Sequence, residues 1–186
     1  AAESSDAWNN AGTGHSAFCE LNYTPEAQDG SISPNKAISI AESFEVSRQF
    51  WSYLVQENIV SSPENFIKSI PHVSFVWGEK NVDFLKKRFD TLQANPLFKD
   101  MVYSSDFSKL KEWMPLVMEG RKDSEKFAAT SVSIGTDVNF GELTREIFGY
   151  LTKLDGVTIH FHHEVRKLKQ LDDKTCRVKV TDLATG

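Results

Sequence analysis

The chain predicts an α+β fold, with helices and a mixed set of strands rather than a strict alternation of the two. Three observations carry this. Apolar residues recur at helical spacing near 40–55, 82–92 and 140–154. They alternate with period two near 72–78 and 130–134. Strand-like residues gather at 157–181, and the chain has no internal repeat and no low-complexity tract.

In chain order, residues 1–36 are polar and carry Gly12, Gly14, Gly30, Pro25 and Pro34, so they read as loop-rich. A helix follows. Ser39 and Glu42 have capping-box spacing, and Ile40, Phe44, Ser47, Trp51, Leu54 and Val55 share one face until about Asn58. Pro63 suits the first position of a short helical turn. In the strand His72–Gly78, Val73, Phe75 and Trp77 point one way, and His72, Ser74 and Val76 the other. Val82, Leu85, Phe89 and Leu92 mark a helix over 81–93. A short helix over 106–114 stops at Pro115, because a residue before proline is pushed out of the helical region. Thr130, Val132 and Ile134 alternate with Ser131 and Ser133 as a strand. Asn139 caps a helix with the stripe Phe140, Leu143, Ile147, Leu151 and Leu154, ended by Gly156. Strands are expected over 157–162, 165–171 and 176–181, with a turn at 172–174. The apolar parity shifts between Val165 and Leu168, which predicts a bulge or strong twist.

Composition narrows the functional classes. A length of 186 residues, 40% hydrophobic and 25% charged, is ordinary for a globular chain of one or two domains. Thirteen Phe and four Trp can fill a core. A net charge of −5 argues against a nucleic-acid partner, which needs a basic surface. No run approaches the roughly 18 apolar residues of a membrane span. Cys19 and Cys176 form no metal-like pair and fit a reducing compartment better than a disulfide scaffold.

The most informative stretch is Asn9–Pro25, NNAGTGHSAFCELNYTP. Two glycines and several small or hydroxyl residues surround one histidine, which lets a backbone come close to a ligand and offer it amide groups. With PHVSFVWGE at 71–79, KEWMPLVMEGR at 111–121, AAT at 128–130 and IGTDVNFGELTR at 134–145, it resembles the malate:quinone oxidoreductases. These are flavoproteins of the D-amino-acid-oxidase-like superfamily. The motifs occur in the family's order across nearly the whole chain.

The resemblance implies FAD as cofactor, (S)-malate and a quinone as substrates, and a cytoplasmic protein peripherally associated with the membrane. The reaction would be a step of the tricarboxylic acid cycle. No G-x-G-x-x-G follows a strand here, and the family's C-terminal glycine-rich segment is not recognisable, so the chain reads as an internal fragment with an incomplete flavin site. Residues 1–36 and 141–186 are expected to belong to the FAD-binding domain, and 37–140 mostly to the substrate-binding domain.

Asn10, Ala11, Gly12, Thr13, Gly14, His15 and Ser16 are then the cofactor-contacting segment; the plain alternative is a solvated turn. The resemblance also implies that Val165 pairs its backbone with the adenine edge, unless it is an ordinary sheet valine. Oxidising a secondary alcohol needs a proton acceptor, and a neutral imidazole serves near neutral pH. His72 and His15 are the candidates. Each can instead orient or simply pack, and a base from the family's C-terminal part is a third candidate. Arg121 can bind a malate carboxylate through its guanidinium fork, or be an exposed loop charge. His160, His162 and His163 lack an acidic or cysteine partner at ligand spacing, so no metal is expected. Two rivals stand beside this reading: a related FAD enzyme of another 2-hydroxy acid such as 2-hydroxyglutarate, and a non-catalytic α+β ligand-binding module.

Overall fold

The computed structural model describes residues 3–185. The fold is α+β. The chain divides after Ile147 into two compact units.

The first unit is built on a three-stranded antiparallel sheet. Strand β2 (His72–Trp77) pairs with β4 (Phe127–Val132), and β4 pairs with β3 (Val102–Ser104). His72 lies opposite Val132, and Trp77 opposite Phe127. The expected alternation in β2 is present, and the polar-looking His72 face is the more buried one. His72, Ser74 and Val76 are buried, while Trp77 is 61% exposed. The reason is that both faces are covered. Helix α2 (Glu79–Leu92) and the segment after His15 cover the His72 face, through Leu85, Leu21 and Phe18. Helices α3 (Phe107–Trp113) and α4 (Pro115–Met118) cover the Phe75 face, through Leu110 and Met118. Phe127, Ala128, Ala129 and Thr130 are therefore all buried in β4, as a strand covered on both faces requires. The expected strand over 130–134 is accordingly placed earlier, and Ser133 and Ile134 lie in the turn that follows it.

A second, two-stranded sheet joins β1 (Ile67–Ser69) to β5 (Thr136–Val138). Neither strand is visible in the sequence pattern, because three residues are too few to show a period. Helix α1 (Asn35–Gln56) packs beside it. It starts four residues before the expected Ser39, so the Ser39–Glu42 capping box does not form; Ser39 sits inside the helix, its carbonyl accepting from Ser43 Oγ at 2.8 Å. Pro34 occupies the cap position instead, with φ already near helical at −81°. Phe44, Trp51 and Leu54 are buried with Phe66, Val138 and Leu143. Fully burying each such side chain contributes roughly 1.5–3 kcal/mol.

Helix α5 (Phe140–Leu151) opens as expected, with Asn139 Oδ1 accepting from Glu142 N–H at 3.0 Å. Asp106 likewise caps α3, accepting from Lys109 N–H at 2.8 Å. Pro115 ends α3 and also starts α4, a short helix the pattern did not show.

The second unit contains the hairpin β6 (His163–Gln170) and β7 (Cys176–Asp182). The expected parity break is a register shift between Val165 and Lys167. Residues 157–162 are not a strand; Gly156 at φ 80° and His162 at φ 57° interrupt extended backbone on either side. One hairpin face carries Val165, Leu168, Val178 and Val180, all exposed. Among the described residues no helix is long and apolar enough to cross a membrane.

Candidate functional site

Residues 10–16 form an extra edge on β5. Asn10 Oδ1 accepts from Gly12 N–H at 2.9 Å and starts the segment. Gly12 C=O then accepts from Val138 N–H at 2.6 Å, and Gly14 N–H donates to Thr136 C=O at 2.9 Å. Thr13 stands opposite Asp137 between these two bonds. In this narrow antiparallel pair the Thr13 amide turns away from β5. The amides of Ala11, Thr13 and His15 make no hydrogen bond among the described residues.

The glycines face the other way. A Cβ on Gly12 would lie 2.7 Å from Asp137 Oδ1 and 2.9 Å from the Val138 carbonyl oxygen. One on Gly14 would overlap Thr136 Oγ1 and lie 2.8 Å from Phe44 Cζ. Both bare Cα atoms thus serve the close approach of this segment to β5 and α1. What the segment leaves outward is an edge of donors with the exposed Ala11 and His15.

His72 joins this edge through Thr136. Its Nε2 lies 3.1 Å from the Thr136 carbonyl that also takes the Gly14 amide. A carbonyl only accepts, so Nε2 is the donor of this pair. Nδ1 is buried without a partner, and the whole residue is 6% exposed. Phe18 meets the ring edge-on at 6.2 Å.

His15 is different. Its side chain is 62% exposed, with Nδ1 3.5 Å from Glu20 Oε1. That is an ion-pair distance without hydrogen-bond geometry, and both Glu20 carboxylate oxygens are buried without a hydrogen-bond partner. His15 borders a groove of about 290 Å³ walled by Ser43, Phe44, Trp51 and Phe140. On the other side of the edge, Asn10, Ala11, Gly12, Asp137 and Asn139 border a groove of about 280 Å³.

Beneath the segment lies Arg88, which is 0% exposed. Its Nε donates to Thr24 Oγ1 at 2.9 Å, and one Nη to the carbonyls of Ala17 and Phe18 at 3.0 and 3.2 Å. Burial pulls the guanidinium down to about 10, against the attraction of Cys19 and Glu20. Burial, then the Glu20 charge, pushes the Cys19 thiol up to about 11.

Arg121 is not part of this assembly. Its guanidinium stacks 4.8 Å from the Phe75 ring centre and 5.8 Å from that of Trp77. Nε donates to the Val117 carbonyl at 2.9 Å, and Nη1 lies 3.9 Å from Glu125. Phe75 and Trp77 occupy the face of β2 opposite His72, so Arg121 and His72 do not meet. Val165 pairs with Val180 in the hairpin. Among the described residues no three metal-ligating side chains gather, although the His160 and His163 rings lie 5.3 Å apart. Sequence reasoning missed Glu20 and Arg88. Arg88 had a signal: it falls on the apolar stripe of its helix, three residues after Leu85 and four before Leu92.

The sequence profile of the family "Malate:quinone oxidoreductase (Mqo)" matches residues 1–186. A "Probable malate:quinone oxidoreductase" of Flavobacterium johnsoniae is 75% identical over 186 residues, which is all of this chain and 37% of that protein. A protein of the same name from Flavobacterium psychrophilum is 61% identical over all of the chain and 38% of its own length. "Probable malate:quinone oxidoreductase 1" of Pseudomonas aeruginosa is 56% identical, with 36% of its length covered. The chain spans a little over a third of these relatives. With its whole length matched by the family profile and these identities along it, the chain belongs to the malate:quinone oxidoreductase family.

Proposed function

We propose that this chain is the part of an FAD-dependent malate dehydrogenase, with a quinone as acceptor, that supplies a cofactor- and substrate-facing edge. The observation that carries the reading is that the amides of Ala11, Thr13 and His15 have no hydrogen-bond partner among the described residues, inside the motif on which the family resemblance rests. The donor set fits FAD: neutral N–H groups suit phosphate oxygens or flavin carbonyls. The chemistry FAD supplies when bound is uptake of a hydride from C2 of (S)-malate, giving oxaloacetate, and delivery of the electron pair to the quinone.

The chain's own residues divide the remaining work. His15 is the better-placed acceptor for the malate hydroxyl proton. Its imidazole is exposed, borders a groove and has Glu20 on its Nδ1 side, which leaves Nε2 to accept. His72 is sealed in and has its Nε2 proton on Thr136, so in this reading it orients the edge through that carbonyl. Arg121 remains a proposed carboxylate partner at a separate place on the sheet, and Val165 a proposed backbone partner of the adenine. Residues 1–36 and 141–186 are assigned to an FAD-binding domain of the D-amino-acid-oxidase-like kind, and 37–140 mostly to a substrate domain. The whole protein would act at the cytoplasmic membrane surface in the tricarboxylic acid cycle, reaching its quinone without a spanning helix.

The test is the full-length protein loaded with FAD and assayed on (S)-malate and on 2-hydroxyglutarate, with a short-chain quinone as acceptor. Malate should be oxidised with quinol formed in equal amount. Faster turnover of 2-hydroxyglutarate, or none of either acid, sinks the reading.

A further inference from the structure

We propose that Arg88 is a positioning residue of the candidate site, its buried guanidinium clamping the turn that holds His15 and the amide edge in place. This rests on the reading of that edge as ligand-facing. The packing itself does not call for an arginine. Arg88 sits between Leu85 and Leu92 on the core face of α2, where an unbranched apolar side chain would fill the same space. Burying a charge is unfavourable, and well-packed apolar replacements of buried ions are often neutral or stabilising. What an apolar chain cannot do is donate hydrogen bonds.

Arg88 donates where the backbone most needs holding. Ala17 has φ 58°, a left-handed conformation that a non-glycine residue adopts only under constraint. The Ala17 and Phe18 carbonyls accept from Arg88, and the next carbonyl, Cys19, accepts from Ser74 Oγ at 2.9 Å. Three successive carbonyls are thus held from two elements, α2 and β2. This turn is the point where the chain leaves the edge of β5. It also delivers Glu20 to its place beside His15 Nδ1. The remaining Arg88 nitrogen, Nη1, has no hydrogen-bond partner, and neither has the Glu20 carboxylate. Arg88 and Glu20 form no ion pair among the described residues, and Glu20 is the one of the two that reaches His15.

The test is backbone hydrogen exchange on this chain in Arg88→Met and Arg88→Lys, with amides of the β2–β4 ladder as internal reference. In Arg88→Met the Gly14 and Ser16 amides should exchange at least about tenfold faster relative to that reference, because a local opening has been released. Arg88→Lys should recover part of the protection, since it keeps the charge and loses the fork. A merely structural arginine would raise exchange uniformly; uniform exchange, or none at Gly14 and Ser16, overturns the proposal. If Arg88→Met does not fold, Arg88→Lys against the native chain carries the same comparison. In the full-length flavoprotein, turnover of malate per bound flavin should fall at least about tenfold in Arg88→Met. Selective exchange with unchanged turnover would uphold the clamp and overturn the reading of the edge as ligand-facing.

Discussion

Replacing Gly14 by alanine is the sharpest test of how residues 10–16 sit on β5. Nothing in the Gly14 backbone conformation demands glycine, so the effect is steric. The new methyl would overlap Thr136 Oγ1, lie 2.8 Å from Phe44 Cζ and lie 3.0 Å from the Thr136 carbonyl oxygen. Ordinary contacts of that kind begin near 3.4 Å. The Phe44 ring is itself wedged edge-on against Trp51 at 5.9 Å, and the carbonyl is fixed by two donors. The segment must therefore lift away from β5. Overpacking of this kind costs about 1–3 kcal/mol. In a domain of this size that lowers Tm by roughly 2–12 °C, at about 2–4 °C per kcal/mol. Thermal unfolding followed by circular dichroism measures it. Thr136→Ala removes the overlapping hydroxyl, which has no hydrogen-bond partner of its own. The double variant should then recover part of the loss, while the Phe44 and carbonyl contacts keep it below the native chain. A Gly14→Ala variant within 1 °C (about the error of such a scan) refutes the close approach. A double variant no better than the single refutes the role of Thr136.

Other expectations follow from single side chains. Arg121→Ala removes a guanidinium stacked on Phe75 and Trp77, worth about 0.5–1 kcal/mol at an exposed site, so Tm should fall by a few degrees. In the full-length enzyme the carboxylate proposal requires a fall in malate kcat/KM of about 10- to 150-fold, and a change below about twofold removes Arg121 from the substrate site. The Cys19 thiol, pushed up to about 11, has on the order of a thousandth of its molecules ionised at pH 8, so thiol reagents should modify only Cys176 quickly. Two fast equivalents by mass spectrometry would contradict that burial. Glu146 accepts from the Ser61 amide and hydroxyl and from Asn65, and these bonds, the Ser61 amide first, lower its carboxyl pKa. A lowered folded value gives stability that is present above the ordinary carboxylate range and lost as pH falls through the folded value. Stability measured by urea unfolding from pH 6 downward should therefore fall more steeply in the native chain than in Glu146→Gln, and parallel profiles would rule this out.

The long elements were legible because their periods run for several turns. Phe44, Trp51 and Leu54, and Leu85 and Leu92, announce their faces by spacing alone. The Asn139 cap was legible for a local reason: a short acceptor stands directly before a helical stripe. The burial of the two β2 faces was not legible. Alternation says which residues share a face, but not that a second layer covers the polar-looking side. The candidate site was legible as a segment and not as a mechanism. Gly12 and Gly14 drew notice as glycines, yet the atoms that require them belong to Asp137 and Thr136, 125 and 122 positions away in sequence. Arg88 was hidden by its charge, since arginine on an apolar stripe is ordinarily read as exposed.

The pairing of residues 12–14 with β5 has a consequence for the length of the motif. Along that edge, consecutive amides alternate between the sheet and the open side. Inserting or deleting one residue between Asn10 and Ser16 would exchange the sides: the Gly14 amide, now bonded to the Thr136 carbonyl, would point outward, and the Thr13 amide would turn in. Adding two residues would restore the sides and only lengthen the loop. The spacing between Asn10 and His15 is in this sense a matter of odd and even, and natural length variation here should occur in pairs or not at all.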